Sequence, residues 1–79
     1  MATLPNPETL ARELIAVLHA AGLRPGDGMP TMAARQQFGI HRPAADFQAA
    51  AVYAETHGWI QFGRDGFWMT LTELGYSEA

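Results

Sequence analysis

The chain has 79 residues, a hydrophobic content of 48%, no cysteine and a formal net charge of −3 at pH 7. These values limit it to a single small globular domain over residues 1–79, exclude disulfide bonds and thiolate zinc sites, and provide no general attraction for nucleic-acid phosphates. No apolar run is long enough to span a bilayer, and the N-terminus lacks the basic start and apolar block of a secretory signal, so we expect a cytoplasmic protein without membrane contact.

The first predicted element is a helix over about residues 7–21. Asn6 can cap it, Pro7 suits the first helical position, and Glu8 lies at the positive end of the helix dipole. Apolar residues recur at steps of three and four along it, and Gly22 is expected to end it. The resulting apolar stripe consists of Leu10, Leu14, Val17, Leu18 and Ala21.

The second predicted helix is short and covers about residues 30–38. It follows a loop with two prolines and two glycines, and it ends at Gly39. Thr31 is a candidate cap at its start. The inward-facing residues are predicted to be Met32, Ala33 and Phe38, with Ile40 buried in the turn that follows.

A third helix is predicted over about residues 43–57, and a β-hairpin over about residues 59–72. The hairpin consists of two apolar strands around the turn at 63–66, which has glycine at both ends. Thr72 is placed to cap a last helical turn. The buried face of the third helix is predicted to contain Phe47, Ala50, Ala51 and Ala54.

The predicted fold class is therefore mainly α with a small β-hairpin, and this order of elements resembles the winged helix-turn-helix superfamily. Residues 25–31 look like the approach to the second helix in GntR-type bacterial regulators, and residues 38–40 like the turn after that helix. Residues 71–75 look like the exit from the hairpin, or wing, in MarR-type regulators. Two spacings depart from the GntR-type pattern, so the resemblance is to the superfamily architecture. The positions that carry the approach motif are Pro25, Gly26, Asp27, Met29, Pro30 and Thr31.

The resemblance implies a small sequence-specific regulator that binds double-stranded DNA as a homodimer. In such domains the third helix enters the major groove, while the hairpin contacts the backbone or the minor groove. Suitable donors lie at the start of the third helix, on the helix before it and at the hairpin tip. They are His41, Arg42 and Gln48, then Arg35, and then Arg64. The third helix itself contains no lysine or arginine from residue 44 onwards, which weighs against strong phosphate binding.

The outer face of the third helix leaves a second interpretation open. A helix that is apolar nearly all round is usually buried on two sides. The alternative function is therefore a winged helix protein-interaction module, an adaptor or dimerisation domain without DNA binding. Alanine is also simply a good helix former. The residues of this candidate partner interface are Ala45, Ala49, Val52 and Tyr53.

Enzymatic function finds no support in the sequence. The three histidines, His19, His41 and His57, lack metal-ligand spacing, and His57 is better explained as a partner for the end of the third helix. There is no Gly-x-Ser-x-Gly motif, and neither glycine-rich turn ends in Gly-Lys-Ser/Thr. Trp59 and Trp68 are assigned to packing of the core and the hairpin. We expect no catalytic activity, no cofactor and no bound metal.

Overall fold

The computed structural model describes residues 6–39 and 44–78. The protein is mainly helical with a small antiparallel sheet, so the predicted class is confirmed at this level. Ile40, His41, Arg42 and Pro43 lie outside the described residues. The elements in chain order are α1 (Pro7–Ala20), β1 (Gly28–Pro30), α2 (Thr31–Phe38), α3 (Ala44–Thr56), β2 (Ile60–Phe62), β3 (Trp68–Leu71) and α4 (Glu73–Ser77).

Helix α1 begins and ends as its sequence predicts. The side chain of Asn6 accepts a hydrogen bond from the backbone N–H of Glu8 at 2.8 Å, and Pro7 occupies the first helical position. The chain leaves the helix through Gly22, whose φ of 86° is readily adopted only by glycine.

The apolar face of α1 is wider than predicted. Its three leucines are buried as expected, whereas Ala21 lies beyond the helix end and is exposed. Ala11 and Ile15 are also buried, because α1 packs more extensively on α3 than on any other element.

The prediction for the inward face of α2 was wrong at Met32. This side chain is 62% exposed, Ala33 is half-buried, and Ala34 is fully buried. Phe38 is buried as predicted. Strand β1 leads directly into α2, so pairing of this strand in the sheet fixes the rotation at which the helix begins.

The prediction that Thr31 caps α2 was also wrong. The capping position belongs to Pro30, which makes no side-chain hydrogen bond to the helix. The hydroxyl oxygen of Thr31 is buried and has no hydrogen-bond partner among the described residues. The backbone N–H of Thr31 instead donates to the carbonyl oxygen of Phe67 at 2.9 Å, which joins the start of α2 to the hairpin.

The hairpin forms as predicted, but it belongs to a three-stranded sheet rather than a two-stranded one. Strands β2 and β3 pair antiparallel, with Ile60 opposite Leu71 and Phe62 opposite Met69. The segment before α2, predicted to be a loop, pairs with the other edge of β3 as strand β1. The strand order is therefore β1-β3-β2.

Close contact between strands on the outer face of the sheet explains the glycine in β1. A Cβ atom at Gly28 would collide with the indole nitrogen of Trp68, which crosses the strand at this point. Trp68 is 48% exposed, and it covers β1 from the solvent side.

The core lies between the three longer helices and the inner face of the sheet. Met69 and Leu71, at alternate positions of β3, point inward and are completely buried. Ile60 of β2 is only 1% exposed. The predicted inward face of α3 is confirmed, since all four of its residues are buried. These are Phe47, Ala50, Ala51 and Ala54.

The C-terminal turn is capped as predicted. The hydroxyl of Thr72 accepts a hydrogen bond from the backbone N–H of Gly75 at 3.1 Å and donates to the carbonyl oxygen of Gly58 at 2.5 Å. This joins the beginning of α4 to the end of α3. None of the helices in the described part of the chain is long and apolar enough to cross a bilayer.

Candidate functional site

Three elements enclose an open groove of about 790 Å³ on one side of the molecule. The beginning of α2, the outer face of α3 and the turn of the hairpin each contribute side chains to it. We call it the α2–α3–hairpin groove. The side chains that define its chemistry are Met32, Arg35, Gln48, Val52, Glu55 and Phe67.

Large apolar side chains reach solvent around this groove from each of the three elements. Met32 of α2 is 62% exposed, Val52 of α3 is 57% exposed, and Phe67 of the hairpin turn is 74% exposed. Isolated exposed apolar residues are ordinary, but a group of them bordering one groove is typical of a binding surface.

The position of Phe67 is fixed by its backbone. Its N–H donates to Oδ1 of Asp65 at 3.0 Å, and its carbonyl oxygen accepts the hydrogen bond from Thr31. Gly66, with a φ of 77°, allows the tight turn before it. The exposed ring is thereby held at the groove instead of on a loose loop.

The structure places two of the predicted DNA-contacting residues in the groove. Arg35 and Gln48 both line it and are exposed. Arg64 is exposed in the hairpin turn that contributes Gly66 and Phe67 to the same groove. His41 and Arg42, the other two, lie outside the described residues.

The residues of the predicted partner interface divide between two sides of α3. Ala45 and Val52 are exposed and border both this groove and the one on the other flank of α3, whereas Ala49 and Tyr53 are half-buried and line only the latter. A second, shallower groove runs along that flank, where it also contacts Pro7. The outer ridge of α3 thus separates two concave surfaces.

A charged cluster elsewhere on the surface joins both ends of the chain. The Arg12 guanidinium donates from Nη1 to Glu78 at 2.7 Å and from Nε to Glu8 at 3.3 Å. It also lies 5.2 Å from the ring centre of Trp59, within the range of a cation–π contact. The hydrogen bonds from Glu78 and Glu8 raise the pKa of Arg12 above its usual value. We call these four residues the Arg12 clamp.

Tyr53 belongs to the surroundings of this clamp. Its hydroxyl donates to the other carboxylate oxygen of Glu8 at 3.3 Å, and its ring packs edge-on against Trp59. Partial burial, and then the negative charge of Glu8, raise the pKa of Tyr53 above its usual value. His57 stacks on the Tyr53 ring with 3.9 Å between centroids. Nδ1 of His57 lies 2.9 Å from the Tyr53 carbonyl oxygen, at the end of α3.

Sequence reasoning missed Met32 and Phe67 as surface residues. The outward rotation of Met32 depends on the unpredicted pairing of β1, and the exposure of Phe67 depends on the bond between its carbonyl oxygen and Thr31. No local sequence pattern distinguishes these two exposed side chains from core residues.

In the described ranges, no three His, Asp or Glu side chains come together in a way that could hold a metal ion. No protein-family model, curated protein or solved structure matches the chain.

Proposed function

We propose that the chain is a winged helix-turn-helix domain that binds duplex DNA as a small sequence-specific transcriptional regulator. Three longer helices followed by a hairpin, in the order of that superfamily, support the fold assignment. The observation that carries the functional proposal is the grouping of Arg35, Gln48 and the Arg64 turn around the outer face of α3.

The distribution of charge supports this surface as the one that contacts DNA. Two of the eight acidic residues, Glu8 and Glu78, are engaged by Arg12, away from the groove. Neither Arg35 nor Arg64 forms an ion pair with a described residue. Their guanidinium groups are available for phosphate oxygens, which guanidinium binds with good geometry.

The working form in this proposal is a homodimer. A single module of this size contacts few base pairs, and two modules on paired half-sites increase both affinity and specificity.

Duplex titration tests the proposal directly. Anisotropy of a labelled mixed-sequence duplex is followed against the full chain at a series of salt concentrations, beside a light-scattering mass measurement. We expect the logarithm of the association constant to fall steeply and linearly with the logarithm of salt concentration, because phosphate contacts release counterions. Absence of binding at the lowest salt concentration would refute the proposal.

A protein-interaction module is the second candidate, and the exposed apolar residues favour it. Phosphate binding requires none of the exposed Met32, Val52 and Phe67 side chains, and Glu55 in the same groove repels phosphate. The same experiments distinguish the two functions. The interaction module is supported if the chain does not bind duplex at low salt and its mass rises with protein concentration. The V52D variant should then have the mass of a monomer.

A further inference from the structure

The outer strip of α3 carries two long polar side chains, Gln48 and Glu55, with the apolar Val52 between them. A helix turns by ~100° per residue, so Gln48 and Val52, four residues apart, lie within ~40° of each other on one strip, with the buried Phe47 and Ala51 beside them. Both are exposed and both border the α2–α3–hairpin groove. The strip therefore presents an amide and a branched apolar side chain, one turn apart, to whatever occupies the groove.

The chemistry of Gln48 and Val52, the two members of this strip nearer the beginning of α3, favours one kind of base pair. Guanine is usually recognised by arginine or lysine, and α3 carries neither. An amide side chain can pair with both N7 and N6 of adenine, and an apolar side chain can contact the C5-methyl group of thymine. The two side chains thus match the two major-groove features that are peculiar to an A·T pair.

The spacing of the two side chains is compatible with this assignment. Residues four apart on a helix have Cβ atoms about 5–6 Å apart. Successive base pairs are about 3.4 Å apart along each strand, so the two side chains reach the same base pair or adjacent ones. Arg35, which lines the same groove from α2, lies beside the strip where it can contact the backbone.

We infer that α3 reads A·T pairs in the major groove, with Gln48 recognising adenine and Val52 contacting the thymine methyl group. The inference rests on the proposed function, since it specifies which duplex the groove prefers. It makes the C5-methyl group itself a determinant of affinity, which an interaction limited to phosphates does not.

Three labelled duplexes of equal length test this inference. One has alternating dA·dT pairs, the second has deoxyuridine in place of thymidine, and the third has alternating dG·dC pairs. Losing one buried methyl group should raise Kd about fourfold between the first and the second duplex. The third duplex should bind most weakly.

Two variants assign these preferences to side chains. In V52A the ratio of the Kd values for the deoxyuridine and thymidine duplexes should fall towards one, because the variant has lost most of the apolar contact. In Q48A the preference for dA·dT over dG·dC should fall. L74A is the matched control, because Leu74 is 60% exposed but lies on α4 outside the groove, and it should preserve both preferences.

The outcomes separate this inference from the proposal on which it rests. Equal binding of the thymidine and deoxyuridine duplexes overturns methyl recognition but leaves DNA binding intact. A difference that persists unchanged in V52A also overturns it, since the methyl group would then act through the shape of the duplex. Failure to bind all three duplexes refutes DNA binding itself, and with it the inference.

Discussion

The two sides of the molecule use arginine in different ways. In the Arg12 clamp, one guanidinium contacts two carboxylates and an indole ring, and it connects α1 to the C-terminal helix. Arg35, which lines the α2–α3–hairpin groove, and Arg64, in the hairpin turn beside it, make no ion pair with a described residue. The comparison assigns the clamp to stability, whereas the groove is the surface that we propose binds DNA.

The comparison also shows why a net charge of −3 does not by itself argue against the proposed DNA-binding surface. A net charge describes the whole molecule, but the potential near a surface depends on nearby charges because salt screens distant ones. On the clamp side, Arg12 offsets one of the two negative charges of Glu8 and Glu78. Changes on the two sides should therefore separate stability from binding.

The largest expected effect is on the side of the clamp. A Cβ atom at Gly75 would collide with the carbonyl group of Trp59, so G75A should displace α4 and reduce the free energy of unfolding by about 1–3 kcal/mol. Urea denaturation measures this loss. The neighbouring exposed variant L74A should stay within about 0.5 kcal/mol of the parent. If G75A is as stable as the parent, α4 is not seated against β2 as the structure shows.

The next effect concerns the groove. Replacing both Arg35 and Arg64 with alanine should weaken duplex binding and reduce the magnitude of the salt slope by about two, one for each lost phosphate contact. Urea denaturation should show little change, because both side chains are exposed. R24A provides the control, since Arg24 is exposed in the loop before β1 and does not line the groove. If R24A weakens duplex binding by as much as each arginine lost in the double variant does, then only the overall charge of the chain matters.

A smaller effect is expected when the clamp is opened. R12A should lower the urea midpoint modestly, and added salt should diminish the difference, because exposed ion pairs are screened. A double-mutant cycle with E78Q isolates the pairwise contribution. The duplex salt slope should not change in R12A, even though the chain becomes more negative. A weakened slope would place Arg12 in the DNA-binding surface and break the division between the two sides.

The smallest effect is the titration of Tyr53. In Y76F it is the remaining one of the two tyrosines, so ultraviolet absorbance follows it alone. Its pKa in the folded chain should exceed that in the urea-unfolded chain. Tyr53 therefore holds its proton more strongly in the folded state than in the unfolded state. The stability that this proton contributes is fully present below the pKa of the unfolded chain, and it is lost as the pH rises through the pKa of the folded chain.

E8Q refines that measurement. Removing the carboxylate charge should lower the pKa of folded Tyr53 only in part, because partial burial is the larger cause of its shift. A return to the unfolded value would identify Glu8 as the main cause instead.

Local patterns predicted the helices well because their signals are short-range. Asn6, Pro7 and Thr72 act at the helix starts as their residue types suggest, and the alternation in β3 follows from its buried side. The third strand was missed because its residues, Gly28 to Pro30, contain glycine and proline, which usually indicate a loop. Their strand conformation depends on pairing with residues some forty positions later in the chain.

The candidate site could be predicted in part for the same reason. Arg35 and Gln48 were identified from their chemistry and their positions relative to a resembled fold, and the structure brings them to one groove. The apolar half of the groove could not be identified in this way. The outward position of Met32 depends on how β1 orients α2, and that of Phe67 depends on a hydrogen bond to Thr31.

The pairing of β1 with β3 also determines how the hairpin can move. The backbone N–H of Gly26 donates to the carbonyl oxygen of Leu71 at 2.8 Å, and that of Leu71 donates to the carbonyl oxygen of Asp27 at 2.8 Å. Together with the bond from Thr31 to Phe67, these contacts make the hairpin continuous with the base of α2. The distance between the hairpin tip and α3 is consequently set when the chain folds. In the proposed complex, a DNA site of different width would therefore have to deform to fit the protein.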